Sequence, residues 1–439
     1  MTTIIHAAAR ESATLTAKPI RVSNRWAAHT LNFFMVFGPG LIVMEADNDA
    51  GAVSTYVQTG AQYGTRLLWL LLLLLPITYF VQEMVVRLGI ATGQGHAAMI
   101  YRRFGDWWGR FSLADLLLVN FLTLVTEFAA IALALDKLGV NPRWGVPVAA
   151  VALTALALTG SYRRWERIVV FLCLLDLAWF AIAFRVHPAP GEVLRHALVP
   201  GRPAGGLTAS WLFLVIAIVG TTIAPWQLFF QQSCVADKRL RFADLNASRL
   251  DTFVGAVFTI LVAGCMMLAG NAAFQQHRTF SDPAQMAVQL GGLFGPFLKN
   301  ALLLLMINAA VLGTTTISLS SAWAYGEVKG WPHSLQKPIR EAPGFYAVYA
   351  LCVLAAAGLV LIPNAPLQLI ILSVQVLAGL MLPSAIVFLQ LLLNDREVLG
   401  RFANRRWNNV VNWSLVILLF VLSLLLAAQV AVPRLFPNS

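Results

Sequence analysis

Glu45-Ala46-Asp47-Asn48-Asp49-Ala50-Gly51 interrupts an apolar run that extends from about residue 31 to about residue 58. Three carboxylates within five residues are expensive in such a run. Even on lenient scales, one charged residue at the centre of a membrane helix costs roughly 2.5–3.5 kcal/mol. A cluster of this kind is expected to face an internal site filled by water or ions. The stretch therefore predicts a helix broken at mid-membrane and a protein that handles cations.

The rest of the chain fits that reading. Of its 439 residues, 59% are hydrophobic and 12% charged, and its mean hydropathy is +0.73. A soluble domain carries about 25% charged residues, so this is an integral membrane protein whose first partner is the lipid bilayer. The net charge of +11 reads as a topology signal and not as a nucleic-acid footprint. Cys173, Cys234, Cys265 and Cys352 show no CxxC spacing and read as small core hydrophobes. With no P-loop, HExxH or paired-cysteine motif, no enzyme, cofactor or ATP-driven pump is expected, and no obligate protein partner is evident.

Segments apolar and long enough to cross a bilayer lie near 31–58, 65–90, 112–135, 143–160, 166–187, 208–235, 249–272, 294–324, 344–362, 366–393 and 409–432. The predicted fold is all-α with about 11 transmembrane helices. Residues 1–30 lack an apolar signal-peptide core and read as a cytoplasmic tail. Residues 31–187 and 208–393 form two five-helix halves, and 409–432 is an eleventh helix. With the N-terminus inside, 22 of the 31 Lys and Arg residues fall on the cytoplasmic side. That bias predicts a cell-membrane protein with its C-terminus outside.

A second irregularity occupies the matching place in the second half. Gly220-Thr221-Thr222-Ile223-Ala224-Pro225-Trp226-Gln227 puts a proline, which lacks a backbone donor, in the middle of the sixth segment. Paired broken helices in corresponding positions point to a mid-membrane site in an inverted-repeat transporter. Carbonyls freed at such breaks are tolerated only around a cavity. With carboxylates, they make a hard-oxygen site suited to Mg²⁺, Ca²⁺ or Mn²⁺. No Met, Cys or His stands at either break, which disfavours Zn²⁺ and Cu⁺.

On a continuous helix Glu45 and Asp49 share a face and Asp47 points elsewhere; a break near Asn48–Gly51 would let all three approach one cavity. Thr221, Thr222, Gln227, Gln375 and Glu127 are polar candidates from other segments. Glu83 is expected to pair with Arg87, four residues on. Asp176 is intramembrane with no assigned partner. Gly38-Pro39-Gly40 reads as a bend and not as a phosphate loop.

Gly38-Pro39-Gly40-Leu41, Asp49-Ala50-Gly51, Gly60-Ala61-Gln62-Tyr63-Gly64 with Leu67-Leu68-Trp69, and Arg87-Leu88-Gly89-Ile90-Ala91-Thr92-Gly93 resemble the opening of the NRAMP divalent-metal transporters. The likeness continues through Ala224-Pro225-Trp226-Gln227 and Gln375 to about residue 400. It implies a LeuT-type fold with a 5+5 inverted repeat, broken helices 1 and 6, and metal carried between them. Asp49 matches the family's acidic ligand, Gln375 a tenth-helix glutamine, and Glu127 a third-helix acid tied to proton movement. Thr221 falls where a small residue offers its carbonyl.

Four departures matter. Ala52 replaces the Asn of the first-helix motif, Ala224 replaces a coordinating methionine, and Trp226 replaces a histidine, while Glu45 and Asp47 are added acids. The pattern resembles the NRAMP-related magnesium transporter branch. It implies import of Mg²⁺, with Mn²⁺ sharing the path, by alternating access with weak or no proton coupling. Asp49, Glu45, Asp47, Thr221, Ala224, Gln227 and Gln375 are the expected metal residues, and Glu127, Trp226 and Pro225 the expected coupling or gating residues. The alternatives are an ordinary proton-coupled Mn²⁺/Fe²⁺ symporter and an amino-acid carrier of the same fold.

Overall fold

The computed structural model describes residues 38–201, 208–363 and 365–431; the expected N-terminal tail lies outside them. Among the described residues, each segment that the apolar pattern predicts as a span is built of one or two helices. The first span is two pieces, α1 (Pro39–Glu45) and α2 (Ala50–Tyr63). Next come α3 (Leu68–Thr92), a short α4 (His96–Phe104), α5 (Asp106–Lys137) and α6 (Pro142–Ala157). The fifth span is α7 (Tyr162–Leu175) plus α8 (Ala178–Arg185), followed by a short α9 (Pro190–Leu198). The sixth is again two pieces, α10 (Ala209–Thr222) and α11 (Pro225–Asp237). The chain continues with α12 (Leu245–Gln275), α13 (Pro283–Phe294), α14 (Pro296–Lys329), α15 (Pro343–Val360), α16 (Leu367–Asn394), α17 (Arg396–Leu399) and α18 (Arg406–Ala431).

Among the described residues, eight helices are long and apolar enough to cross a membrane, with 162–185 and 209–237 each counted across its interruption. The first span escapes that count because its halves are only 7 and 14 residues long. Pro142–Ala157 and Arg406–Leu422 are shorter apolar helices.

The exterior is apolar where lipid would touch it: Leu72, Leu73, Phe171, Leu174, Phe184, Leu304, Leu351 and Leu369 are exposed. Trp107 and Trp144, exposed at the starts of α5 and α6, suit the amphipathic level where lipid headgroups begin. Inside, the two broken spans are held by long continuous helices. α12 lies against α1 and α2, α16 against α10, and α11 sits between α3 and α14. Glu83 pairs with Arg87 at 3.4 Å, as its spacing predicts, and also with Arg249 at 2.6 Å across to α12.

Two spans show detail beyond the apolar pattern. The fifth span is not continuous: Asp176 and Leu177 turn with i→i+3 bonds, Asp176 N–H to the Cys173 carbonyl at 3.2 Å and Trp179 N–H to the Asp176 carbonyl at 3.0 Å. The sixth span is interrupted at residues 223–224, where the sequence places a break, and Pro225 does not lie in a helix interior. It is the first residue of α11, where a missing N–H costs nothing and its fixed φ suits a helix start.

Candidate metal site

Pro225 has a second effect. A helix needs the N–H of residue i+4 for each carbonyl, and the residue four past Thr221 is Pro225, so the Thr221 carbonyl is released from its helical bond. The residue four past Gly220 is Ala224, whose N–H instead donates to Gln227 Oε1 at 3.2 Å. α10 thus ends with two carbonyls aimed past its terminus, where the helix dipole is negative. Gln227 Oε1 also accepts from Gln82 Nε2 of α3 at 3.1 Å, fixing the amide across the break.

The first break spans residues 46–49. Ala46 keeps a helical conformation, whereas Asp49 is extended and caps α2, its Oδ1 accepting from the Ala52 N–H at 2.8 Å. Side-chain oxygens at this position satisfy donors that a helix start leaves open. Glu127 of α5 reaches the same terminus, Oε2 accepting from the Ala50 N–H at 3.1 Å. The Asp49 and Glu127 carboxyl groups lie against one another. Gly313 of α14 makes room for both, since a Cβ there would stand 2.7 Å from Glu127 Cδ and 2.9 Å from Asp49 Cβ.

The three acids of the run part company. Glu45 turns away, its Oε1 accepting from Asn48 Nδ2 and its Oε2 from Thr259 Oγ1, each at 3.3 Å. Asp49 faces Glu127. Asp47 stays between them, 1% exposed, with both carboxylate oxygens buried and without a hydrogen-bond partner; its surroundings include Glu45, Asp49 and Gln227. Among the described residues no three His, Cys, Asp or Glu side chains converge as a ready metal cage.

The neutral candidates gather around the breaks. Gln375 of α16 covers Gly51, where its amide occupies the space a Cβ would need, and its backbone carbonyl presses on Gly220. Thr221 Oγ1, Gln227 Nε2, Gln375 Nε2 and Trp226 Nε1 are buried without a partner. Ala224 is 5% exposed. Tyr56 of α2 ties the two broken spans together through Thr222 Oγ1 at 2.8 Å. All the candidate residues are buried.

The family model described as natural resistance-associated macrophage protein-like (NRAMP) matches residues 40–429. The chain belongs to the NRAMP family. Among its relatives, the divalent metal cation transporter MntH of Ralstonia nicotianae is 29% identical over 418 residues, covering 90% of each chain. MntH 1 of Pseudomonas aeruginosa is 29% identical over 411 residues, 86% of this chain and 88% of its own. The crystal structure of the Eremococcus coleocola manganese transporter superposes with a TM-score of 0.73 at 19% identity, over 95% of this chain and 90% of that one. The LeuT-fold transporter Mhp1, a nucleobase-cation symporter, matches at a TM-score of 0.54 and 14% identity, over 92% and 93%. The NRAMP chain is therefore a multi-pass membrane transporter of divalent-cation type, with no enzymatic role and no cofactor.

In this NRAMP chain Trp226 packs edge-on against Phe230, and its carbonyl accepts from Ser320 Oγ at 3.0 Å. Two buried acids have roles that sequence reasoning missed. Asp176 lies against Glu45 and accepts from Asn308 Nδ2 at 3.0 Å. Asp251 of α12 receives the N–H groups of Gly38 (3.2 Å), Gly40 (2.7 Å) and Leu41 (3.1 Å). The glycine-proline-glycine turn thus does hold an anion, one supplied by the chain itself.

Proposed function

We propose that the chain imports divalent cations by alternating access, with Mg²⁺ as the principal cargo and Mn²⁺ as a second one. The carrying observation is Asp47: a buried carboxyl whose oxygens make no close hydrogen bond, with only the Gln227 amide in reach, needs a proton or a cation to neutralise it. A cation carrier supplies the cation. Asp49 and Asp47 supply the charge at this site. The Thr221 carbonyl adds an oxygen, and the amides of Gln227 and Gln375 border the site, Gln375 presenting an oxygen to an ion once its amide turns over. The Ala224 carbonyl already accepts from the Gln227 N–H at 3.2 Å and has one lone pair left. Such donors suit Mg²⁺ and Mn²⁺, and Ala224 offers no sulfur for softer metals. Manganese is in keeping with the name of the Eremococcus coleocola protein.

Import needs no proton gradient on this reading. An inside-negative potential of 100 mV contributes about 4.6 kcal/mol for a divalent cation, enough for about a thousandfold accumulation. The test uses proteoliposomes with a K⁺ diffusion potential, an internal Mg²⁺ dye and an internal pH dye. Mg²⁺ uptake that follows the potential without acidification is the expected result. Mn²⁺ uptake with acidification and no Mg²⁺ signal would establish the proton-coupled symporter instead. That second reading is favoured by the contact between the Asp49 and Glu127 carboxyls, which repel unless a proton or cation lies between them. An amino-acid carrier is disfavoured because the positive end of α2 already receives two carboxylates of the chain itself.

The proposed frame is eleven crossings in the plasma membrane, two inverted five-helix repeats at 31–187 and 208–393, and a last helix at 409–432. The matching breaks at 46–49 and 223–224 support it. A reporter fused at the C-terminus is expected to be active outside the cytoplasm; cytoplasmic activity overturns the odd number of crossings.

A further inference from the structure

Glu45 is the acid of the run that faces away from Asp49. It ends α1, where the last carbonyls give the helix a negative pole, and it lies against Asp176 at the turn between α7 and α8. Two carboxyls this close, both fully buried, repel strongly unless a shared proton or a cation lies between them. The groups that hold them are neutral. Asn48 Nδ2 bonds Glu45 and, at 3.2 Å, the Thr259 carbonyl. Asn308 Nδ2 bonds Asp176 and, at 3.1 Å, the Leu172 carbonyl.

A separate observation says what is missing. Once those bonds are made, three acceptors at this place have no donor: Asp176 Oδ2, Asn48 Oδ1 and Asn308 Oδ1. Asp176 and Asn48 are 0% exposed and Asn308 is 7% exposed. A proton shared by Glu45 and Asp176 would answer one of these oxygens, whereas a single divalent cation would answer the carboxyls and the carboxamide oxygens together. Two carboxylates neutralise a divalent ion, and neutral carboxamide oxygens are ordinary additional ligands for hard cations.

We propose that Glu45 and Asp176, with the carboxamide oxygens of Asn48 and Asn308, form a second binding station for a hard divalent cation. It is separate from the station at Asp47 and Asp49 and contributed by α1, the α7–α8 turn and α14. Asp47, whose surroundings include both Glu45 and Asp49, stands between the two and is the natural handover point. The station lies on the α1 side of the first break, so the ion would move along the acidic run instead of leaving it at Asp49. This inference rests on the reading of the chain as a divalent-cation transporter.

The test is the number of ions bound by the full-length protein in nanodiscs, measured by equilibrium dialysis with Mg²⁺ and, independently, by Mn²⁺ electron paramagnetic resonance. The wild type is expected to bind two ions per chain. Asp176→Asn and Glu45→Gln are each expected to bind one and to keep the Asp49 station. Asp49→Asn is expected to lose the other ion and keep this one. A wild type that binds one ion, lost in Asp49→Asn and unchanged in Asp176→Asn and Glu45→Gln, overturns the second station while leaving the main site standing. A second site that fills with Na⁺ and not with Mg²⁺ also overturns it. Conversely, two ions in the wild type and in Asp49→Asn alike would sink the main site and not this one. If Asp176→Asn fails to fold, Glu45→Gln answers the same question from the opposite wall.

Discussion

Divalent-cation uptake into proteoliposomes is expected to fall about a hundredfold or more when Asp49 is replaced by asparagine. The choice of asparagine matters. Asp49 has two functions in the structure: it caps α2 through the Ala52 N–H, and it places a charge at the break beside Glu127. Asparagine is as good a cap as aspartate, whereas alanine loses about 1 kcal/mol at such a position. Asp49→Asn therefore keeps the helix start and removes the charge alone. Losing one charged partner of a buried site costs roughly 3–5 kcal/mol, which corresponds to a factor of at least about a hundred. Asp49→Ala should lose as much uptake and, in addition, melt at lower temperature. Wild-type uptake by Asp49→Asn would show that the ion does not pass this carboxylate.

The contrast between Asp49 and its neighbours marks how far the sequence can be read. The two breaks are legible because their cause is local: acids in an apolar run, and a proline four residues after a threonine. Where each acid points is not local. Glu45 and Asp49 are four residues apart and would share a face on an unbroken helix. Instead the chain leaves the helix at Asp47, re-enters it at Asp49 in an extended conformation, and sends the two carboxylates to opposite walls. The walls themselves come from far away, Glu127 on α5 and Asp176 on the α7–α8 turn. Asp176 is visible in the sequence as an unexplained intramembrane acid. Asn308, which holds it, is one amide among the many polar residues of α14, and nothing in its neighbourhood along the chain distinguishes it. Trp226, by contrast, is conspicuous as a departure from the family pattern, but its consequence, the carbonyl held by Ser320, depends on α14.

The second large effect is expected far from the ion, at Asp251. α1 has only seven residues, too short to be stable alone, and no side chain of its own caps it. Gly38 supplies its cap position with φ of +137°, a conformation open to glycine and strained for other residues. Pro39 fills the first helical position without needing a partner. The remaining exposed donors, on Gly38, Gly40 and Leu41, all go to the Asp251 carboxylate of α12, a cap delivered from more than 200 residues away in the sequence. Each bond to a buried charge is worth about 1–3 kcal/mol when its partner is left stranded. Asp251→Ala, which strands three, should destabilise the protein by roughly 3–6 kcal/mol. Asp251→Asn keeps one acceptor oxygen and should fall between it and the wild type. Thermal unfolding of the purified protein in detergent is expected to rank them wild type, Asn, Ala, and an unchanged melting temperature for Asp251→Ala would sink the argument. The loss would be concentrated where it matters for transport. A short half-helix released at its start can swing about the break at residues 46–49, so Asp251 helps to hold α1 in place over Glu45 and Asp47.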